Sequence, residues 1–592
     1  MAEIQNPNQG GGGGMGGDSK SLFGFMIVFV LMVVAFQVFG PKKAQQPAPT
    51  PQKPQATQST PAALPPTGGE NAPAMPGPAA NVAATATNAV QAATESETVV
   101  ENEVYRITFT NRGGAVKSWL LKKFRDDSQK NPLDLVNHDA ASKFGLPLML
   151  FAYDAGLKNR LNSALYVPSA TGTIDATTPA TLSFDYSYGG LTVRKTFHFD
   201  NTYVIGADVT VTQSGAPVTA LLAWPSGLGD QATLQGYAGA TIDTSESGKT
   251  DQIAAKKVVG GDTQRGSFDY VAVSDLYFSA VFMPQSPADT SVVTLHESVG
   301  VPRNREHPDQ NVDQAPLLGA AVGSIDDGAH TRLFVGPKLL GLLDSVHTTN
   351  GGSLEHVVSF GWWGWIAKPM LLVLRFFVSH GIPNWGWAIL LLTLILNLAM
   401  LPTRVMMMKS SLKMQRIQPQ IEAIKAKYAK YKTTDPRRQD MNKEMFDLQR
   451  QEGVNMFGGC LPMLLQYPLL FGFYRMLMYA IELRQSHWLW LPDLSAPDTL
   501  HILPIFVIVS MFLSQFFTPS PGMDQSQQRM MAFMMPVIFG YMMWNIGSGV
   551  ALYWAGSNLL GVATQLVMNR TSMGLEMRAI AAKRAARRSP KR

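Results

Sequence analysis

The decisive stretch is GWAILLLTLILNLAMLPTR, residues 386–404. Its first sixteen residues carry no charge, and Pro402 closes the run. At about 1.5 Å per helical residue, the run and a few flanking residues nearly cross a hydrocarbon core of about 30 Å. Thr393 and Asn397 lie inside it four residues apart, on one face of a helix. A strongly basic segment follows at once, then further apolar runs. The stretch therefore predicts a polytopic membrane protein whose embedded polar side chains face protein or water instead of lipid.

Composition agrees. Charged residues make up only 16% of the 592, against about 25% in soluble proteins. The single cysteine, Cys460, excludes an internal disulfide framework and a multi-cysteine metal site. Net charge is +6, but its distribution says more. Residues 404–452 hold twelve Lys or Arg against six Asp or Glu, and residues 569–592 hold eight against one. Basic clusters beside apolar spans mark the cytoplasmic side. That explains them more simply than a nucleic-acid site does, and no specific nucleic-acid partner is expected. Contact with the ribosome or with anionic lipid is a possible second role.

Toward the N-terminus, residues 1–21 read as a disordered cytoplasmic segment. The apolar run 22–39 is followed by Gly40, Pro41, Lys42 and Lys43, with no small-x-small cleavage site, and reads as an uncleaved anchor. Residues 41–98, rich in Pro, Ala, Gln and Thr, read as a solvated tether. Residues 99–345 alternate with period two. Leu182, Phe184, Tyr186 and Tyr188 precede Gly189-Gly190, and Leu191, Val193, Phe197 and Phe199 follow, a strong hairpin signal. Ile205, Ala207, Val209 and Val211 continue the pattern after Asp200-Asn201. This predicts a large antiparallel β-sandwich. Its His and Asp residues show neither metal-ligand nor triad spacing, so no catalytic residue, metal or cofactor is expected. His198 reads as an ordinary strand side chain.

Residues 360–380 hold three Trp with Lys368 and Arg375, which suits an amphipathic helix at the outer membrane interface. Residues 386–402 form the second span. In the basic segment 404–455, Met414, Ile417, Ile421, Ile424, Tyr428 and Tyr431 are spaced three and four apart. Met441, Met445 and Leu448 resume that rhythm after the breaker at 433–436, which predicts a helical hairpin, with Pro419 marking a fresh helix start. Spans follow at 461–481, 502–517, 530–545 and 548–568, and then the basic tail 569–592. Six transmembrane helices, five of them forming the core, put both termini and the hairpin in the cytoplasm and the β domain outside.

The C-terminal half resembles the YidC membrane-protein insertases over about residues 360–570. The resemblance is carried by NWGWAILLLTLIL at 384–396, VNMFGGCLPMLLQYP at 454–468, ELRQ at 482–485, MMPVIF at 534–539 and SGVALYWAGSNLL at 548–560. FVGPK at 334–338 resembles the end of that family's outer domain. An outer β-supersandwich after an uncleaved first span is similar to the Gram-negative form. The resemblance implies a multi-pass protein of the bacterial inner membrane. It also implies a polar groove open to cytoplasm and lipid that passes nascent membrane proteins into the bilayer, alone or beside the Sec translocon, with no nucleotide or metal.

Carried onto this chain, the groove residues are Thr393, Asn397, Gln466, Gln515, Trp554 and Asn558, with Gln565 a further polar residue of the last span. Gln466, Gln515, Asn558 and Gln565 read equally as interhelical hydrogen bonds, with the motif match favouring the groove for Gln466, and Trp554 reads also as an interfacial belt residue. The hairpin contacts are Arg416, Lys425, Lys427, Arg437 and Arg438. The family pattern places an arginine where this chain has Asn397, and a neutral amide cannot neutralise an acidic segment. Arg475 admits two readings, a relocated groove charge or a cation reaching the outer interface beside Glu482. Met456 replaces a proline usual before the Gly-Gly turn. Two other classes remain: a transporter with an outer β lid, for which no internal repeat is visible, and a sugar-active enzyme, which rests on analogy alone.

Overall fold

The computed structural model describes residues 89–231, 234–302, 312–324, 328–431, 435–454, 461–517 and 525–588. The predicted N-terminal segment, the anchor at 22–39, the tether up to residue 88 and the Gly-Gly-Cys turn at 458–460 lie outside these residues.

Strands run from Glu97 to Pro337 and form three sheets among the described residues. A five-stranded sheet has Tyr105–Thr110 at its centre, flanked by Ala115–Arg125 and Glu97–Glu101. A ten-stranded sheet contains the predicted hairpin, Ala180–Tyr188 and Leu191–Phe199, paired from Ala180↔Phe199 to Tyr188↔Leu191. Gly189 and Gly190 both take positive φ, 60° and 77°, the pair of angles that a two-residue turn matching strand twist requires. A third sheet is built on the long pair Thr290–Pro302 and Val312–Ser324. Pairing is antiparallel except between Glu97–Glu101 and Gly172–Asp175, which run parallel. The inward-facing alternate residues meet in one core, where Phe109 packs on Phe184, Phe197 and Phe199 and Trp119 on Trp224.

The C-terminal part is helical: α1 (Gly364–Ser379), α2 (Trp385–Ala399), α3 (Leu401–Lys427), α4 (Arg437–Gln451), α5 (Leu461–Tyr479), α6 (Ile502–Phe517), α7 (Gln525–Met543), α8 (Ser548–Asn569) and α9 (Ser572–Arg588). Asn384 starts α2, its Oδ1 accepting from the Gly386 and Trp387 N–H groups. Helix α1 is amphipathic. Ala367, Met370, Leu371 and Leu374 are buried, while Trp362 just before it and Trp365 within it are 78% and 67% exposed. Small residues let a helix close up on a loop and on another helix. A Cβ on Gly386 would lie 2.2 Å from Trp488 Cδ1, and one on Gly540 would lie 2.0 Å from Ile508 Cγ1.

One sequence expectation is not reproduced in full, one is corrected, and one feature of the tail is added. First, the count of six spans is not reproduced by length and composition among the described residues. Only α8 is long and apolar enough, with the α2–α3 pair a second if its 47° bend lies within one span. For α2 and α6 the reason is short length, 15 and 16 residues, about 22–24 Å at helical rise; α5 and α7, 19 residues each, fall short in apolar content instead. Second, Pro419 does not restart a helix but lies inside the continuous α3. Third, the basic tail, of which the sequence reading gave no secondary structure, is helical over Ser572–Arg588, and Met577 of α9 packs with Met408 and Leu412 of α3 and Met568 of α8.

The two parts are joined at a polar seam on the loop after α5. Arg484 Nη1 donates to Arg125 O at 2.9 Å, and Gln485 Nε2 donates to Arg125 O at 3.0 Å and to Asp126 O at 2.8 Å. The Arg484 side chain is only 7% exposed, stands 3.5 Å from an Asp127 carboxylate oxygen and lies over the Phe278 ring. Behind it, burial and the neighbouring Asp275 push the Asp230 carboxyl well above the usual range. The seam defines two ends of the helical part, one against the β domain and one away from it at the α3–α4 hairpin.

Candidate functional site: a polar cluster at the hairpin end

Helix α2 presents two unlike surfaces. Ala388, Ile389, Leu392 and Thr393 are buried against α8, whereas Leu394, Ile395 and Leu398 are exposed. Thr393 is fully enclosed. Its Oγ1 donates to Ile389 O at 2.7 Å, and Gly556 of α8 approaches its methyl. Asn397, one turn on, is half-buried at the boundary between the two surfaces. Its Nδ2 donates to Thr393 O at 2.9 Å and to Ser557 Oγ on α8 at 3.3 Å. This turns Oδ1 the other way, where it accepts from Arg404 Nη2 at 2.8 Å. Arg404 belongs to the first turn of α3, beyond the bend, and reaches back among the helices.

Helix α8 completes the cluster with a stripe at four-residue spacing: Tyr553, Ser557, Gly561, Gln565 and Asn569. A Cβ on Gly561 would stand 3.3 Å from Arg404 Nη1, so the glycine leaves the guanidinium its room. Gln565 Nε2 donates to Asn569 Oδ1 at 2.9 Å. Tyr553 is buried and stacks on Phe473 of α5, centroids 4.1 Å apart.

The other expected residues are dispersed. Asn558 Nδ2 donates to Ser510 Oγ on α6 at 3.2 Å, an interhelical bond on another face of α8. Trp554 is half-buried and packs on Phe539 of α7 at 5.2 Å. Gln515 is half-buried near the end of α6. The side chain of Gln466 lies outside the described residues.

Arg475 is not brought to Asn397. It lies at the β-domain end, its Nε 3.4 Å from Phe360 O and its guanidinium over the Tyr479 ring. Nor does it sit with Glu482, which is paired with Arg375 of α1.

The hairpin cations are largely engaged. Arg416 pairs with Glu576 of α9, and Lys427 with Glu444 of α4. Arg437 pairs with Asp435 and covers the Tyr431 ring, and Arg438 donates to Tyr431 O. Lys425 is half-buried on α3. An open recess of about 460 Å³ lies between α3 and α4, lined by Asp440, Lys443, Glu444 and Asp447 among others.

Arg404 is the residue that reading the sequence missed. It counts as the first basic residue after Pro402, yet it stands seven positions from Asn397, two helical turns, within reach of a long side chain folded back.

Comparison with known proteins matches both parts. Residues 97–373 match a family model described as the YidC periplasmic domain, and residues 377–575 match one described as the 60Kd inner membrane protein. The membrane protein insertase YidC of Syntrophus aciditrophicus is 31% identical over 80% of this chain and 85% of its own. That of Maridesulfovibrio salexigens is 30% identical over 93% and 99%. A crystal structure of an active YidC insertase with its first transmembrane domain resolved aligns over 81% of this chain and 95% of its own. Its TM-score is 0.33 at 18% identity, too low to argue from.

Proposed function

The chain belongs to the YidC family of membrane protein insertases, and from that premise we propose how it inserts proteins. It is an inner-membrane insertase with a periplasmic β-sandwich domain, and its substrates are nascent membrane proteins. The proposed device is the cluster of Asn397, Ser557 and Arg404, at the hairpin end of helices whose outer surfaces are otherwise apolar. That single observation carries the reading.

A charged group at mid-bilayer costs about 2.5–3.5 kcal/mol on insertion scales. Polar side chains part-way across shorten the dry path such a group must travel. Short spans act in the same direction. Helices of about 22–24 Å, α2 and α6, are matched by a locally thinned bilayer, which lowers the barrier beside them. The polar part of the entering chain meets Asn397 first, and its apolar segment leaves past Leu394, Ile395 and Leu398 into lipid.

The topology follows the basic clusters. An anchor at 22–39 joins α2, α5, α6, α7 and α8 to make six spans, with both termini and the α3–α4 hairpin in the cytoplasm. Helix α1 lies at the outer interface through Trp362 and Trp365. Exposed ion pairs such as Arg416–Glu576 are weak. The hairpin and tail thus keep an accessible positive field for the ribosome, and insertion proceeds alone or beside the Sec translocon.

The test is a photocrosslinker placed in turn at Asn397 and at Trp554 in the full chain, with a stalled nascent membrane protein as target. Capture of the nascent chain at Asn397 is expected. Capture of lipid only, at both positions, contradicts the reading.

A further inference from the structure

We propose that α9 is a strap over the hairpin-side mouth of the polar cluster, seated in the idle chain and displaced when a nascent chain enters. This rests on the insertase reading above. Only Arg570 and Thr571 separate α9 from α8. The connection is tight. Thr571 Oγ1 donates to Met568 O at 2.6 Å and accepts from the Gly574 N–H at 3.4 Å. Gly574 lies against Met568 O, and a Cβ there would stand 2.6 Å from Asn569 Cα. Asn569, which is buried, is the last member of the α8 stripe. From this anchor α9 crosses to α3, where Met573, Met577 and Ile580 pack in one cluster with Val405, Met408 and Leu412. Val405 is next in sequence to Arg404. The helix therefore bridges the two elements that carry the hairpin-side end of the polar cluster. A polypeptide approaching Asn397 between α3 and α8 meets α9 first.

The seat is soft. Met408, Met568, Met573 and Met577 all belong to it, and their unbranched side chains repack as a neighbour leaves. The ion pair Arg416–Glu576, at 2.6 Å, is exposed at both ends, and such pairs hold weakly. Leu575, Arg578 and Lys583 are exposed, so α9 is gripped from one side. The buried residues of the α3–α4 seam are instead Ile417, Ile421 and Val454, β-branched and stiff at χ1. Of the two contacts that α3 makes at this end, the one with α9 is thus the one that yields.

The test uses the full chain with Cys460→Ser in sealed vesicles. Arg416→Cys and Glu576→Cys place two exposed thiols across the seat, and a short bis-methanethiosulfonate joins them through disulfides that a reductant cleaves. Joining is expected to lower insertion of a single-span reporter severalfold, and the reductant to restore it. A second reading follows the rate at which an impermeant maleimide, added on the hairpin side, labels Asn397→Cys. A minor open state is populated at about 0.1–10%, so Gly574→Val and Met577→Asp, each of which unseats α9, should raise that rate about tenfold or more. A joined chain that inserts as well as the unjoined one overturns the proposal. So does a loss that the reductant does not reverse, or an equal loss in treated Arg416→Cys alone. An unchanged labelling rate in both unseating variants also overturns it. Wild-type chain that inserts no reporter above empty vesicles would overturn the insertase reading itself, and would show before any variant is compared.

Discussion

Asn397 serves different neighbours with the two ends of its amide. The nitrogen serves Thr393 O and Ser557 Oγ, and the oxygen serves Arg404. Thr393, beside it, bonds only within its own helix. The two should respond differently to loss of polarity. Thr393→Val is expected to cost no more than about 1 kcal/mol, because Ile389 O keeps its helical hydrogen bond. Asn397→Leu strands both Arg404 and Ser557 and should cost about 1–3 kcal/mol, with reduced insertion. Thermal unfolding of the two variants side by side in detergent checks this, and equal costs would contradict it. The four-residue spacing made the Thr393–Asn397 face legible in the sequence. Arg404 was not, because Pro402 read as the end of the membrane segment and nothing in the pattern announces a side chain that turns back across a bend. Arg475 was ambiguous for a related reason. Its role depends on which end of α5 meets the 360–361 loop, a tertiary fact.

Among the elements, the β hairpin at Gly189-Gly190 was readable because two positive-φ glycines between alternating runs admit little else. Pro419 misled. A proline inside a helix forfeits one hydrogen bond and crowds the preceding turn, yet α3 runs on through it. The buried Ile417 and Ile421 on either side, packed with Val454, outweigh that loss. The α6–α7 contact is equally tertiary and makes a sharp prediction. Gly540→Ala puts a Cβ 2.0 Å from Ile508 Cγ1 and 2.4 Å from its Cδ1. Overpacking of this kind should cost about 1–3 kcal/mol. Adding Ile508→Ala removes both clashing atoms, so the double variant should be more stable than the sum of the two singles. A double-mutant cycle on thermal unfolding measures that coupling, and simple additivity would contradict the packing.

At the scale of the whole molecule, the β domain is seated on the helical part through Arg484 and Gln485. Arg484→Ala leaves Arg125 O and Asp127 without that cation and should cost about 1–3 kcal/mol at the seam. Hydrogen exchange at residues 125–127 and 484–491 should rise together while Tyr105–Thr110 stays protected. Uniform loosening of the β domain would contradict a local seam.

That domain also carries a pH signature. Lys195 is fully buried, with Nζ donating to Gly113 O, Gly114 O and Leu148 O at 2.7, 3.2 and 2.7 Å, and burial pushes its pKa down to about 7. The unfolded chain holds that proton up to about pH 10.4. Between about pH 7 and 10 the unfolded state therefore binds more protons, and this group's contribution to stability rises with pH, by at most about 1.4 kcal/mol per unit. Compared with Lys195→Met, the wild-type domain should gain relative stability from pH 7 to 9 and show a flat difference below 7. Urea unfolding at a series of pH values reads this, and a difference that falls above pH 7 would contradict it.

The central claim is that a polar cluster among short apolar helices is wet and reachable from the hairpin side. Because Cys460 is the single cysteine, Cys460→Ser followed by Asn397→Cys gives one reporter thiol. A membrane-impermeant maleimide is then applied to sealed vesicles of either orientation. The account predicts labelling from the hairpin side and protection from the β-domain side. Protection from both sides, or labelling from the β-domain side alone, would contradict it.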